Sequence, residues 1–311
     1  MTSRVIFGAF VPQGWKMELS SFDGAEAKWA KAVEVAQRAE QLGYDSVWLY
    51  DHVHNVPRPA HEAVFECWTT IAAISQVTSR VRLGQMVGCN SYRAPSLLAK
   101  ITSTVDVISG GRLDWGIGAG WYENEYRGYG YDFPPPRERI GRLRESVEIV
   151  RSMWTQAETT YHGKYYDTVR ANCDPKPLQQ PHPPIWIGGG GEQLTLRVVA
   201  RHADIWHGFG GLDTLKRKIG LIHEYARGYG RDPSEILIST NVPIWVGNDP
   251  PQGAPGRAGA PPPSFISGEP AAIEARLREY VAAGVTYFIL GGYNLDNWRR
   301  VSDQIIPRFT S

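Results

Sequence analysis

Short apolar runs alternate with longer amphipathic segments from one end of the chain to the other, and no other feature limits the fold so sharply. Residues 5–10, VIFGAF, form the first apolar run. In the stretch AEAKWAKAVEVAQRAEQLG that follows, Trp29, Ala32, Val33, Ala36, Ala39 and Leu42 recur every three to four residues until Gly43. That spacing predicts a helix with one apolar face and a glycine stop. The same pair of signals returns seven more times. YDSVWLYDH, VRLGQMVG, RLDWGIG, PIWIG, ADIWHGF, ILISTNVPIWVG and YFILG read as the later strands, and a helical pattern follows each. Each return to a parallel neighbour needs a crossover, so strict alternation implies parallel strands. Eight such units in 311 residues predict an α/β fold of the closed (β/α)8 TIM-barrel type, with residues 1–311 as a single domain. The alternative is an open doubly wound sheet, but the turn after the first strand, GAFVPQGW, lacks the glycine-rich fingerprint expected there.

Two segments interrupt the rhythm, and both are expected as insertions at the C-terminal face. Residues 155–178, containing TTYHGKYYDTVRANCDPKP, read as a small hairpin with Gly163 at its turn. Residues 248–268, NDPPQGAPGRAGAPPPSFISG, hold too much Pro, Gly and Ala for a regular element and predict a loop, a candidate lid.

Composition matters here for the partners it excludes. Basic and acidic residues number 33 and 32, without the basic excess of a nucleic-acid binder. No apolar run approaches the roughly 18 residues that a membrane span needs. The first residues turn polar too soon for a signal-peptide core. Cys67, Cys89 and Cys173 are widely spaced and odd in number, which favours neither a disulfide framework nor a zinc site. A reducing, cytoplasmic setting, no metal and a small-molecule substrate are therefore expected. The 11 tryptophans and 15 tyrosines fit either a large core or an aromatic pocket for a flat organic ligand.

In a barrel of this kind, chemistry gathers at the C-terminal ends of the strands. The second strand ends in Asp51-His52-Val53-His54. One His-x-His pair is weak support for a metal. His52, beside a carboxylate at the mouth, is instead a candidate proton donor or acceptor near neutral pH. The fourth strand ends in GIGAGWYENE, where bare glycines let a ligand ring approach the backbone. Glu125 is a lesser catalytic candidate there, although by residue type such a glutamate is more often solvated. After the fifth strand comes IWIGGGGEQLTLR. It lacks the Gly-Lys-Ser/Thr of a P-loop. It is either a plain tight turn or an anion cradle, in which backbone donors precede a helix N-terminus and Gln193 and Thr195 add side-chain donors.

GYDSVWLYDH, VRLGQMV, GRLDWGIGAGWYENEY and PPIWIGGGGEQ…VARHADIW together resemble the luciferase-like monooxygenase superfamily over essentially the whole chain, most closely the branch using the deazaflavin coenzyme F420. The resemblance implies a hydride-transferring oxidoreductase and a homodimer. It places Asp51 against the cofactor and His52 at the reacting face. It puts a non-prolyl cis peptide at Met86-Val87, and further cofactor contacts at Cys89, Ala119, Gly120 and Asn124. It assigns Gly190, Gly191, Gln193 and Leu194 to the loop holding the cofactor's phosphate. Two departures bear on substrate. Trp121 stands where the sugar-phosphate dehydrogenases of this branch carry an acidic proton donor, and the loop HGFGGLD after the sixth strand has no lysine. An uncharged organic substrate is expected rather than glucose 6-phosphate. The same fold also serves FMN-dependent monooxygenases that use molecular oxygen, and a non-catalytic flavin-binding protein is a third reading.

Overall fold

The computed structural model of the chain describes residues 4–248 and 264–309. Its elements in chain order are β1 (Ile6–Phe10), α1 (Gly24–Gln41), β2 (Ser46–Leu49), α2 (Cys67–Val77), β3 (Arg82–Gln85), β4 (Gly88–Cys89), α3 (Pro95–Ile108), β5 (Leu113–Gly118), α4 (Glu123–Gly128), α5 (Pro136–Thr155), β6 (Thr159–His162), β7 (Asp167–Ala171), β8 (Ile185–Gly188), α6 (Thr195–His202), β9 (Ile205–Gly208), α7 (Leu212–Gly228), β10 (Leu237–Asn241), β11 (Ile244–Val246), β12 (Ile266–Gly268), α8 (Pro270–Ala282), β13 (Val285–Leu290) and α9 (Leu295–Gln304). Parallel pairing runs β1–β2–β3–β5–β8–β9–β10–β13 and back to β1. The expected eight-stranded parallel barrel is closed, so these strands leave no open edge.

Two apolar cores hold it. Inside the ring, Phe10, Trp48, Met86, Trp186, Tyr287 and Ile289 pack together. The Trp186 ring lies edge-on to Trp48 and Tyr287, at 4.5 and 4.7 Å. Between strands and helices, residues such as Val47, Leu49, Ile71, Ile74, Leu83 and Val147 form the larger core. Each fully buried large apolar side chain contributes about 1.5–3 kcal/mol. On α1 the buried face is Ala32, Val35, Ala36 and Ala39. Val33 is only half-buried, so the helix sits rotated toward Val35 relative to the face read from the sequence.

The strand ends depart from the sequence reading in two places. The seventh strand is two: β10 stays in the barrel, and after Val242-Pro243 the chain leaves as β11. Proline offers no amide to a ladder, so a break there is physically reasonable. β11 then pairs in parallel with β12. The far end of the 248–268 segment is therefore a strand rather than a loop, while residues 249–263 lie outside the described residues. The third strand also stops early, at Gln85, and resumes as β4 on the far side of a cis Met86-Val87 peptide.

Between α5 and β8, β6 and β7 pair antiparallel. Their turn reaches back up α5, because the Glu145 carboxylate accepts the amides of Lys164, Tyr165 and Tyr166 at 3.0, 2.9 and 3.2 Å. Tyr166 also meets Asn90, just beyond β4, through a 3.2 Å hydrogen bond.

Candidate active site

β2 leads straight into Tyr50, Asp51 and His52 at the barrel mouth. The Asp51 carboxylate is buried and fully engaged. It accepts the Cys89 amide at 2.8 Å, and the Arg93 guanidinium grips both its oxygens at 2.7 and 3.1 Å. Arg93 also reaches Glu66 at 2.6 Å, and Glu66 caps α2 through the Thr69 amide. Burial works against the Arg93 charge, yet Asp51 outweighs it and holds the guanidinium above its ordinary range. This chain of charged contacts ties the loop after β4 to the end of β2.

The carboxylate that orients His52 is not its neighbour Asp51 but Glu125, on the first turn of α4. His52 Nδ1 lies 2.7 Å from Glu125 Oε2. The same carboxylate accepts the amides of Val53 and His54 at 2.7 and 2.9 Å and the Tyr92 hydroxyl at 2.8 Å. Burial would raise Glu125, but the bonds from His52, the His54 amide and Tyr92 outweigh it and hold the carboxyl below its usual range. Facing an ionised carboxylate, Nδ1 carries the proton and donates, which leaves Nε2 as the free acceptor. The Trp15 ring stacks flat on the imidazole, 4.0 Å between centroids and 7° between planes. Trp121 and Tyr122 close the edges at 5.8 and 6.2 Å. Glu125 is fully buried, unlike Glu123, which stays half-exposed and pairs with Arg127. A short helix starting just past the glycines turns the two glutamates to different sides, which residue type alone does not reveal.

The glycines of β5 mostly make room for protein. A Cβ at Gly116 would strike the Gln85 carbonyl, and one at Gly118 would lie 2.6 Å from Val87 Cγ2. At Gly120, where φ is +76°, it would strike the Tyr126 hydroxyl and come within 2.7 Å of Cys89 Sγ. From β8, Gly188 backs onto the same Val87 side chain, 2.7 Å from its own Cβ position. The result is a tightly packed wall in which the Val87 side chain fills the space beside Gly118 and Gly188. Burial pushes the Cys89 thiol up to about 12, despite its bond with Tyr126 at 3.1 Å, so it is a neutral thiol rather than a nucleophile.

The loop 189–194 carries a cation that the sequence did not disclose. A Cβ at Gly190 would run into the ammonium of Lys218, which α7 delivers against the loop. Thr195 Oγ1 stands 2.9 Å from the Cβ position of Gly191, and Arg217 pairs with Glu192. Trp206 Nε1 ties the loop to β9 through the Gly189 carbonyl at 2.8 Å.

A cavity of about 370 Å³ joins these parts. Of the residues singled out from the sequence, Asp51, His52, Met86, Val87, Cys89, Ala119, Gly120 and Glu125 line it. Asn124 does not: it is exposed, and its Oδ1 meets His54 Nδ1 at 2.9 Å. Gly190, Gly191, Gln193 and Leu194 stand outside the wall, while Gly189 and Thr195 on either side of them belong to it. Trp15, Lys16, Tyr92 and Asn241 also line the cavity and were not singled out. Each follows or ends a barrel strand, the one signal that would have found them. The Asn241 side chain, with its Oδ1 buried, has the His207 imidazole as its polar neighbour. Lys16 lies over the Trp15 and Tyr50 rings at 4.8 and 4.7 Å and donates to the Tyr50 hydroxyl at 3.2 Å; burial lowers its pKa, with Glu18 opposing.

Residues 7–252 match the model of the luciferase-like monooxygenase family. The chain belongs to that family. Within its reach is an F420-dependent glucose-6-phosphate dehydrogenase of Intrasporangium calvum, 34% identical over 256 residues that span 75% of this chain and 73% of the relative. Among solved structures, an F420-dependent secondary alcohol dehydrogenase superposes with a TM-score of 0.80 at 20% identity, covering 99% of this chain and 100% of that one. A long-chain alkane monooxygenase superposes with 0.79 at 17% identity, covering 99% and 91%. The luciferase-like barrel is thus shared by deazaflavin enzymes and by oxygen-using ones, and the structural likeness by itself establishes the fold.

Proposed function

We propose that the chain is an F420-dependent oxidoreductase that moves a hydride between the deazaflavin and a small, uncharged organic substrate. The observation that carries the chemistry is His52, stacked on Trp15 and held through Nδ1 by the buried Glu125, with Nε2 free at a cavity wall. Three features of the cavity fit the cofactor. Val87, seated on the cis peptide against Gly118 and Gly188, offers an apolar surface for a planar ring, the Asn241 amide borders the same cavity, and the loop amides with Thr195 and Lys218 suit a phosphate.

When bound, the reduced cofactor supplies a hydride from its ring carbon. During that reduction His52, as the imidazolium, would give its Nε2 proton to the substrate carbonyl oxygen; in the reverse direction, with the oxidised cofactor as hydride acceptor, neutral Nε2 would take the proton of a substrate hydroxyl. Glu125 keeps the imidazole in the tautomer that does this and stabilises it once charged. Trp15, Tyr50 and Trp121 screen the reacting face from water. Glucose 6-phosphate fits poorly: Trp121 occupies the place of an acidic donor, and residues 207–213 hold no cation for its phosphate.

Titration of the purified chain with F420 and with FMN, followed by tryptophan fluorescence, tests this reading. Saturable binding of F420 and reduction of ketones, or oxidation of secondary alcohols, without oxygen uptake is expected. Tight FMN binding with oxygen consumption coupled to turnover, and no response to F420, would overturn it.

A further inference from the structure

A second cavity, of about 340 Å³, opens on the outside of the barrel between α5, α6 and the β6–β7 turn. Arg137 and Arg144 of α5, Lys164 of the hairpin turn, and Arg197 and Arg201 of α6 line it. No acidic residue does. Among the lining arginines, Arg144 has a carboxylate partner, Glu145 at 3.5 Å, already committed to the turn amides. His202 also lines the cavity; it is 96% buried by its 4% exposure, and its Nδ1 has no hydrogen-bond partner among the described residues. Its Nε2 stands 3.3 Å from Glu148. Five cations and a buried imidazole, paired with Glu148 through Nε2, converge on one groove that the chemistry above does not use.

The groove and the first cavity are lined by consecutive residues at the start of α6. Leu194 lines the second cavity and Thr195 the first, so only the 190–194 backbone lies between them. A ligand whose phosphate rests on that loop would have the arginine-lined groove as a neighbour. FMN ends at its phosphate, whereas F420 continues beyond it into an oligoglutamate chain with a carboxylate on every residue.

We propose that this groove is a subsite for the polycarboxylate tail of the cofactor, an inference that rests on the F420 reading above. The hairpin then has a task, since it carries Lys164 to the groove and Glu145 fastens it there. Several exposed ion pairs acting together correspond to roughly a tenfold gain in affinity, and salt screens them.

The test compares F420 bearing several glutamates with the form bearing none, by tryptophan-fluorescence titration at low and high salt. The wild-type chain should bind the long-tailed form about tenfold tighter at low salt, with the advantage shrinking at high salt. In the double variant Arg137→Glu/Arg201→Glu, at two exposed positions, the advantage should vanish while the tail-free form binds as before. If that variant melts early, Lys164→Glu on the turn decides the same question. Equal binding of the two forms by the wild type, or an advantage that survives charge reversal, overturns the subsite and leaves the cofactor assignment standing. Failure of both forms to bind overturns the cofactor assignment, and the subsite with it.

Discussion

His52 is held on one face by Trp15 and at Nδ1 by Glu125, so a single ring nitrogen is left for chemistry. His52→Ala should lower turnover by about 10²–10⁴-fold while the dissociation constant for F420 moves little, because general acid–base work is worth that much. Turnover within twofold of wild type would remove the histidine from the reaction. Glu125→Gln should also lower kcat, since its carbonyl oxygen would serve the Val53 and His54 amides and its NH2 would then face His52 Nδ1, which could no longer donate. Its loss should fall short of that of His52→Ala, because the ring still stacks on Trp15. The sequence placed His52 correctly among strand-end residues. It offered the adjacent Asp51 as the orienting acid and missed Glu125, because that contact depends on α4 bringing residue 125 across 73 positions to face residue 52.

At the level of elements, β5 and β8 are shaped around one valine. Alanine at Gly118 would place its Cβ 2.6 Å from Val87 Cγ2, too close for either to stay put. Gly118→Ala should therefore destabilise the fold by about 1–3 kcal/mol, the usual cost of overpacking a filled site, and Val87→Ala in the same chain should restore part of it. Urea unfolding of the wild type and the two variants measures both. β9 carries a different liability in His207, fully buried inside the ring with Nδ1 3.0 Å from Ser239 Oγ and the Asn241 side chain as its other polar neighbour. Burial pushes this imidazole down from the ordinary 6.5 to about 3. The folded chain therefore keeps it neutral while the unfolded chain protonates it. The stability it contributes is complete above about pH 6.5 and is lost as pH falls toward about 3, at about 1.4 kcal/mol per pH unit. Between pH 6.5 and 5 the wild type should lose about 2 kcal/mol more than His207→Gln in urea unfolding. Equal losses would show that this residue does not set the acid limb.

For the whole molecule, closure depends on the last strand. β13 pairs with β1 on one side and β10 on the other, so it seals the ring between the two ends of the chain. A chain ending at residue 283 should lose cooperative unfolding and expose apolar surface to a hydrophobic dye, because it opens two edges and the inner core at once. A sharp urea transition in that truncation would refute the dependence. By itself the sequence determined the fold, because the alternation of period-two and period-3.6 patterns is a local property and parallel strands follow from it. It also marked the strand ends where the candidate residues gather, since in a barrel those ends share one face. Only the tertiary structure decided which of those residues meet. It brought Glu125 to His52, Arg93 to Asp51, Lys218 to Gly190, and the hairpin's Lys164 to a groove lined by four arginines. Each pairing joins side chains from different βα units, and the distance between units is set by packing around a closed ring, which no local pattern encodes.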